Sequence, residues 1–245
     1  MGSAGLGTGG TSDSQLPRFI DYIRPEPYRK LVLEIDSIEG QEPRSAMATR
    51  IPTRFSQVLD KPGGIDFRLD DTLPPRGDDF VWTAEDLDQL TRDSFDGDPA
   101  ADTIAIHIVY VDGHSDSDGD SGVILGVAWG WLQVVMFKQT IDRSCAGLGL
   151  LGALNERACE EAEFSILSHE IGHVLGLVDN GLPMVTDHRD PVAEHGAHDR
   201  DENCIMYWAY EGEGLTEAIA ARLLANNDDS LTFCQHCLDD IAAAK

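Results

Sequence analysis

The sequence predicts an α+β fold, in which strands and helices are mixed along the chain. Three observations predict it. Two runs rich in β-type residues, Lys30–Ile38 (KLVLEIDSI) and Thr103–Val111 (TIAIHIVYV), carry apolar side chains at strand spacing. Stretches with helical spacing, each ended by a stop signal, lie between and after them. The order of elements does not follow regular βαβ alternation, and no repeat is visible.

The elements follow in order. Residues 1–26 open with MGSAGLGTGGTSDSQ, small, polar and Gly-rich with no apolar signal core, and are expected to be a flexible leader. Residues 27–245 are expected to form one domain, divided into an upper part over 27–178 and a lower part over 179–245. The first strand is framed by Pro25, Pro27 and Gly40. A helix is expected within residues 44–59, because Lys61-Pro62-Gly63-Gly64 halts it. A short strand follows at 65–69. Thr83, with Asp86 three residues on, makes a capping box for a helix over 84–95. After the second long strand, residues 122–129 and 132–141 are read as two more strands.

Composition narrows the function. The 245 residues hold 18 Lys+Arg against 44 Asp+Glu, a formal charge of −26, with 42% hydrophobic residues. That apolar share supports a buried core and argues against wholesale disorder. So acidic a chain offers no field for phosphates, which excludes nucleic acid as a partner. No run reaches the roughly 18 apolar residues of a membrane span, so no membrane insertion is expected of the given chain. No Gly-x-Ser-x-Gly, Gly-x-Gly-x-x-Gly or P-loop string supports a serine hydrolase or a nucleotide enzyme.

The chemistry lies in residues 159–176, CEEAEFSILSHEIGHVLG. Phe164, Leu167, Ile171, Val174 and Leu175 keep helical spacing, which sets His169 and His173, four apart, on one face. Two imidazoles so placed can grip one zinc ion. Glu170, about 100° around the helix, can reach a metal-bound water without becoming a ligand. This is the HExxH arrangement, in which zinc acidifies water and the glutamate takes its proton.

His169-Glu170-x-x-His173-x-x-Gly176 resembles the metzincin metallopeptidases, whose glycine turns the chain towards a third ligand. Asp179 stands where that ligand is usually a histidine, as in the snapalysin branch. Downstream, His198-Asp199-x-x-x-x-Cys204-Ile205-Met206 and the closing Cys234-Gln235-His236-Cys237 resemble the archaemetzincin segment. The likeness runs over residues 165–238, under a third of the chain. It implies a metzincin-like fold, with a twisted mixed sheet over the active-site helix and an irregular C-terminal subdomain ending in helices, His198 as third zinc ligand and Met206 as the Met-turn residue beneath the metal. Asp179, His188 and His195 remain alternatives for the third position. Two departures stand out: Asp199 replaces a cysteine, and residues 177–197 are an insertion.

Five cysteines cannot all pair internally. In one account Asp199, Cys204, Cys234 and Cys237 hold a second, structural zinc, as the archaemetzincin likeness implies. In the other, an exported protein pairs Cys145 with Cys159 and Cys204 with one of the terminal two. A secreted or surface-tethered place is favoured over the cytoplasm. Asp116, Asp118 and Asp120 alternate as in a calcium loop, though the twelfth position holds Val127 rather than a bidentate acid. The expected activity is zinc-dependent endopeptidase on peptide or protein substrates, with Glu170 as general base and acid. The alternative is a latent or non-catalytic zinc protein with a closed site.

Overall fold

In the computed structural model, residues 18–98, 100–119, 122–129, 132–150, 152–225 and 230–245 are described. In chain order the elements are α1 (Phe19–Ile23), β1 (Lys30–Ile38), α2 (Met47–Ser56), β2 (Ile65–Leu73), β3 (Val81–Trp82), α3 (Ala84–Ser94) and β4 (Thr103–Val111). Then come β5 (His114–Ser115), β6 (Gly126–Trp129), β7 (Gln133–Phe137), α4 (Lys138–Gly147), α5 (Ala153–Val174), α6 (Glu213–Leu224) and α7 (Gln235–Ala244).

The main sheet has the order β2-β1-β4-β7-β6. Its first three pairings are parallel, and β6 runs antiparallel to β7 as an edge strand. Parallel neighbours need crossover connections, and α2 and α3 supply two of them. Covering both faces buries nearly all of β1 and β4. On one face Leu31, Leu33 and Ile35 join a core with Met47, Ile51 and Phe55 of α2 and Ile166, Leu167 and Ile171 of α5. On the other, Val109, Val111, Val135 and Phe137 pack with Trp82 and Leu87. The indole of Trp82 donates to the carbonyl oxygen of Asp112 at 2.8 Å, tying the small β3–β5 sheet to the end of β4.

Several boundaries differ from the sequence reading, for identifiable reasons. Strand β2 continues to Leu73 because its edge of β1 stays available beyond a register shift between Ile35 and Ser37. The strand expected over 132–141 stops at Phe137, and α4 begins at once. Ile141 and Cys145, four residues apart, are buried on one face of α4, while Lys138 bonds Asp142 at 2.8 Å along it. The strand expected over 122–129 is β6 alone.

Of the expected leader, residues 1–17 lie outside the described residues. Beyond them the chain is anchored. Tyr22 and Ile23 are core residues. The Lys61 ammonium, itself buried, donates to the carbonyl oxygens of Asp21, Arg24 and Tyr28 at 2.6, 2.5 and 2.7 Å. Three acceptors satisfy all three of its protons. The Thr83–Asp86 capping box forms as the spacing predicts, with reciprocal 3.2 Å bonds. No helix among the described residues is long and apolar enough to cross a membrane.

Candidate metal centre

Helix α5 runs beneath the sheet. It is anchored one and a half turns before the histidines by Glu163, whose buried carboxylate bonds the guanidinium and the backbone amide of Arg44 and lies 3.1 Å from Lys138 Nζ. The helix must then stop just past His173. Gly176, at φ +79°, provides the left-handed turn, with Gly176 N bonding His173 O at 2.9 Å and Leu177 N bonding Gly172 O at 3.1 Å. This pair of bonds is the Schellman closure. A side chain at Gly176 would also meet the Phe19 ring at 2.7 Å.

Gly172, between His169 and His173, has a separate reason to lack a side chain. A Cβ there would lie 2.4 Å from Met206 Sδ, so the methionine packs directly on the helix backbone under the histidines. The same segment holds His169: its Nδ1 lies 2.7 Å from the carbonyl oxygen of Ile205, the residue before Met206.

Three imidazoles converge. His173 Nε2 is 3.1 Å from both His169 Nε2 and His198 Nε2, and the last two are 3.2 Å apart. The tautomers follow from the partners. His169 Nδ1 donates to the Ile205 carbonyl and His198 Nδ1 to that of His195, which leaves lone pairs on both Nε2 atoms. Burial lowers the His169 pKa to about 4 and pushes His173 far down as well. Neutral lone pairs facing one another at this distance repel unless a cation lies between them.

Glu170 is fully buried beside this trio, and among the described residues neither carboxylate oxygen has a hydrogen bond of good geometry. Burial, reinforced by the Glu211 carboxylate, pushes it well above the usual carboxylate range. Strand β6 closes over it: a Cβ on Gly126 would touch the Glu170 side chain at 3.0 Å. Glu211 was not found from the sequence. It ends a short 3-10 helix, Trp208–Glu211, and its Oε1 lies 3.0 Å from His198 Nε2 and 3.8 Å from His173 Nε2. Burial alone would lower the His198 pKa, but the Glu211 carboxylate more than offsets it. No spacing rule links Glu211 to the HExxH string, since the chain must fold back past Met206 to bring it there.

The other candidates sit elsewhere. Asp179 is exposed and 3.4 Å from Arg189 Nη1. His195 stacks on Trp208 at 3.9 Å between centroids, with Nδ1 3.1 Å from Asp190. His188 is buried in a second cluster with Asp199, Cys234 and Cys237. There Asp199 Oδ2 lies 2.7 Å from His188 Nδ1, 3.0 Å from Cys234 Sγ and 3.8 Å from Cys237 Sγ, and Cys204 Sγ is 3.7 Å from Cys237 Sγ. His188 Nε2 reaches Asp240 at 2.9 Å. All five cysteines are free thiols, and the 3.7 Å Cys204–Cys237 separation is far beyond a disulfide bond.

Of the three acids that alternate as in a calcium loop, Asp116 and Asp118 are described and Asp120 lies outside the described residues. Asp118 Oδ1 accepts the Ile124 amide at 2.8 Å and so serves its own turn. The Tyr210 hydroxyl donates to the Glu202 carbonyl at 2.5 Å.

No protein-family model and no curated protein matches the sequence. Solved structures do match the fold. An archaemetzincin from Methanopyrus kandleri superposes with a TM-score of 0.55 at 17% identity, over 88% of this chain and 96% of the other. A zinc-dependent peptidase from Methanocorpusculum labreanum gives 0.52 at 16% identity, over 86% and 99%. The chain therefore has a metzincin-like fold. Its mixed five-stranded sheet and helices are similar to those of both solved structures.

Proposed function

We propose that the protein is a zinc-dependent endopeptidase whose metal is held by His169, His173 and His198. One observation carries this reading: three buried Nε2 atoms converge within 3.2 Å of one another, with the lone pairs of His169 and His198 aimed inward. Zinc–nitrogen bonds of about 2.0–2.1 Å in a tetrahedron place ligand atoms about 3.3 Å apart, so the trio fits the ion closely. The archaemetzincin fold and the zinc-dependent peptidase of similar structure support the same assignment.

When bound, zinc would lower the pKa of a coordinated water and polarise the scissile carbonyl. The chain's own residues supply the rest. Glu170, buried and unpaired, accepts the proton of the attacking water and delivers it to the leaving amine nitrogen. Met206 gives His169 and His173 an apolar floor that fixes their height through Gly172. The edge strand β6 offers backbone groups to an extended peptide substrate, whose carbonyl would then face the histidines.

A second zinc would be held by Cys204, Cys234, Cys237 and Asp199: thiolates on bonds of about 2.3 Å stand about 3.8 Å apart in a tetrahedron, and Cys204 Sγ is 3.7 Å from Cys237 Sγ, while His188 joins Asp199, Cys234 and Cys237 within 4.8 Å as the competing fourth donor. Its ligands come from the segment before the Met-turn and from the start of α7, so this ion would pin the C-terminal helix beneath the site. His188, bonded to Asp199 and Asp240, would orient the carboxylate ligand.

The test is peptide cleavage by Glu170→Gln with metal content measured alongside. Cleavage should fall by at least about 10³-fold with zinc retained. Equal cleavage by parent and variant would remove the hydrolytic reading.

A further inference from the structure

From the position of Glu211 we infer that its carboxylate is a fourth ligand, closing the coordination position that a reacting water needs and holding the resting site shut. The inference rests on the zinc reading above and deepens it into a form of control. Four ligand atoms, the three imidazole Nε2 and Glu211 Oε1, all lie within 4.8 Å of one another. Oε1 stands 3.0 Å from one imidazole nitrogen and 3.8 Å from another, bracketing the separation of about 3.3 Å expected between vertices of a zinc tetrahedron. A carboxylate is a good zinc ligand, and a fourth protein ligand is what distinguishes a closed site from a catalytic one.

The surroundings make this closure reversible. The backbone of Glu211 is fixed where its carbonyl oxygen accepts the Leu125 amide at 3.1 Å, just before β6, and Tyr210 N bonds Tyr207 O at 3.0 Å within the short helix. The side chain itself is 44% exposed. It can therefore swing towards solvent by rotation about its own bonds, without unpacking the core. Glu170 cannot do the same, since it is walled in by Ile166 and the backbone of β6. The two carboxylates thus divide the work: Glu170 waits for a proton, and Glu211 decides whether a water can be there. A peptide lying along β6 passes the point to which Glu211 is tied, so substrate binding is the event that displaces it.

The experiment uses cobalt(II)-loaded full-length protein, with acetate as a probe for an open position. The spectrum of the His-bound ion is isolated by subtracting that of His169→Ala, which retains metal only at the cysteine cluster. In the parent, acetate should leave the visible spectrum unchanged. In Glu211→Ala the spectrum should differ from the parent and move back towards it as acetate fills the vacant vertex. Release of metal to a chelator should be about tenfold faster or more in the variant, and peptide cleavage should rise, because the competing carboxylate is gone. Glu211→Gln, nearly the same shape, guards against a folding defect and should behave as Glu211→Ala does. If metal is lost in His169→Ala but both Glu211 variants keep the parent's spectrum and release rate, the latch is overturned and the peptidase reading stands. If His169→Ala loses no metal, both fall together.

Discussion

Two buried polar clusters, one beneath the sheet and one on it, look alike by residue type and behave in opposite ways. His169, His173, His198 and Glu211 form one; Glu34, Asp36 and His107, side by side on β1 and β4, form the other. In the second every carboxylate oxygen is answered. Glu34 accepts from the Asp96 amide at 2.7 Å and from the Arg68 guanidinium, and Asp36 accepts from the Asp71 amide at 3.0 Å and meets His107 Nε2 at 2.8 Å. Its counter-charge is built in. In the first, three imidazole Nε2 atoms face one another, and among the described residues no other donor lies between them. What separates the two is the carboxylates, all answered in the second cluster even though His107 Nδ1 and Arg68 Nε there are left open.

Metal content gives the largest way to break this contrast. His169→Ala and His198→Ala should each lose a full equivalent of zinc by elemental analysis, whereas Glu34→Gln and Asp36→Asn should lose none. Zinc lost from either sheet variant without unfolding would mean that saturation by hydrogen bonds does not separate the two clusters. His188→Ala should keep the catalytic equivalent and weaken only the cysteine cluster, by about 10- to 100-fold in affinity.

A smaller effect tests how the first cluster is supported. Gly172→Ala would force a methyl group into Met206 Sδ at 2.4 Å and Phe233 at 3.1 Å. Overpacking of this kind costs about 1–3 kcal/mol, and denaturant unfolding should show it. Because the floor under His173 moves, cleavage should fall more than stability does. A variant as stable as the parent but inactive would sharpen the role of Met206, while one unchanged in both would remove it.

These contacts also mark where the sequence stops being legible. His169, Glu170 and His173 share a helix whose periodicity sets them together, whereas His198 stands out only through the resemblance of residues 198–206 to the archaemetzincin segment, with Asp179, His188 and His195 as alternatives. The strands at Lys30–Ile38 and Thr103–Val111 are read from local alternation. The same alternation misleads about Glu34, Asp36 and His107: on a single strand they look solvent-facing, and only the parallel pairing of β1 with β4, covered on both sides, shows them buried. The Arg44–Glu163 anchor and the contact of Gly172 with Met206 join residues 119 and 34 positions apart, and Glu211 meets His198 and His173 from 13 and 38 positions away. No local pattern encodes such pairs. The helix at Lys138–Gly147 was legible in principle, since Ile141 and Cys145 keep a spacing of four, but the preceding β-type run masks it.

The finest test concerns the charge that fills the second cluster. Arg68→Met leaves the Glu34 carboxylate buried without its cation. A fully buried pair broken this way costs about 3–5 kcal/mol, and since the Arg68 side chain is 35% exposed the cost here is about 2 kcal/mol. The effect should depend on pH with a definite sign. Burial already raises the Glu34 pKa, with the Asp96 amide and Arg68 opposing it, so losing Arg68 raises it further. A carboxyl group raised in the folded state binds its proton there before the unfolded chain does, and stability from this group therefore increases as pH falls from neutrality through the raised pKa, levelling off below the unfolded value of about 4.3. The gap in unfolding free energy between parent and Arg68→Met should then narrow as pH falls from neutrality towards the unfolded value. Narrowing is expected only if the carboxylate has no other cation to turn to; a gap that stays constant would show that another charge, or water, reaches Glu34, and that the sheet cluster is less closed than its hydrogen bonds imply.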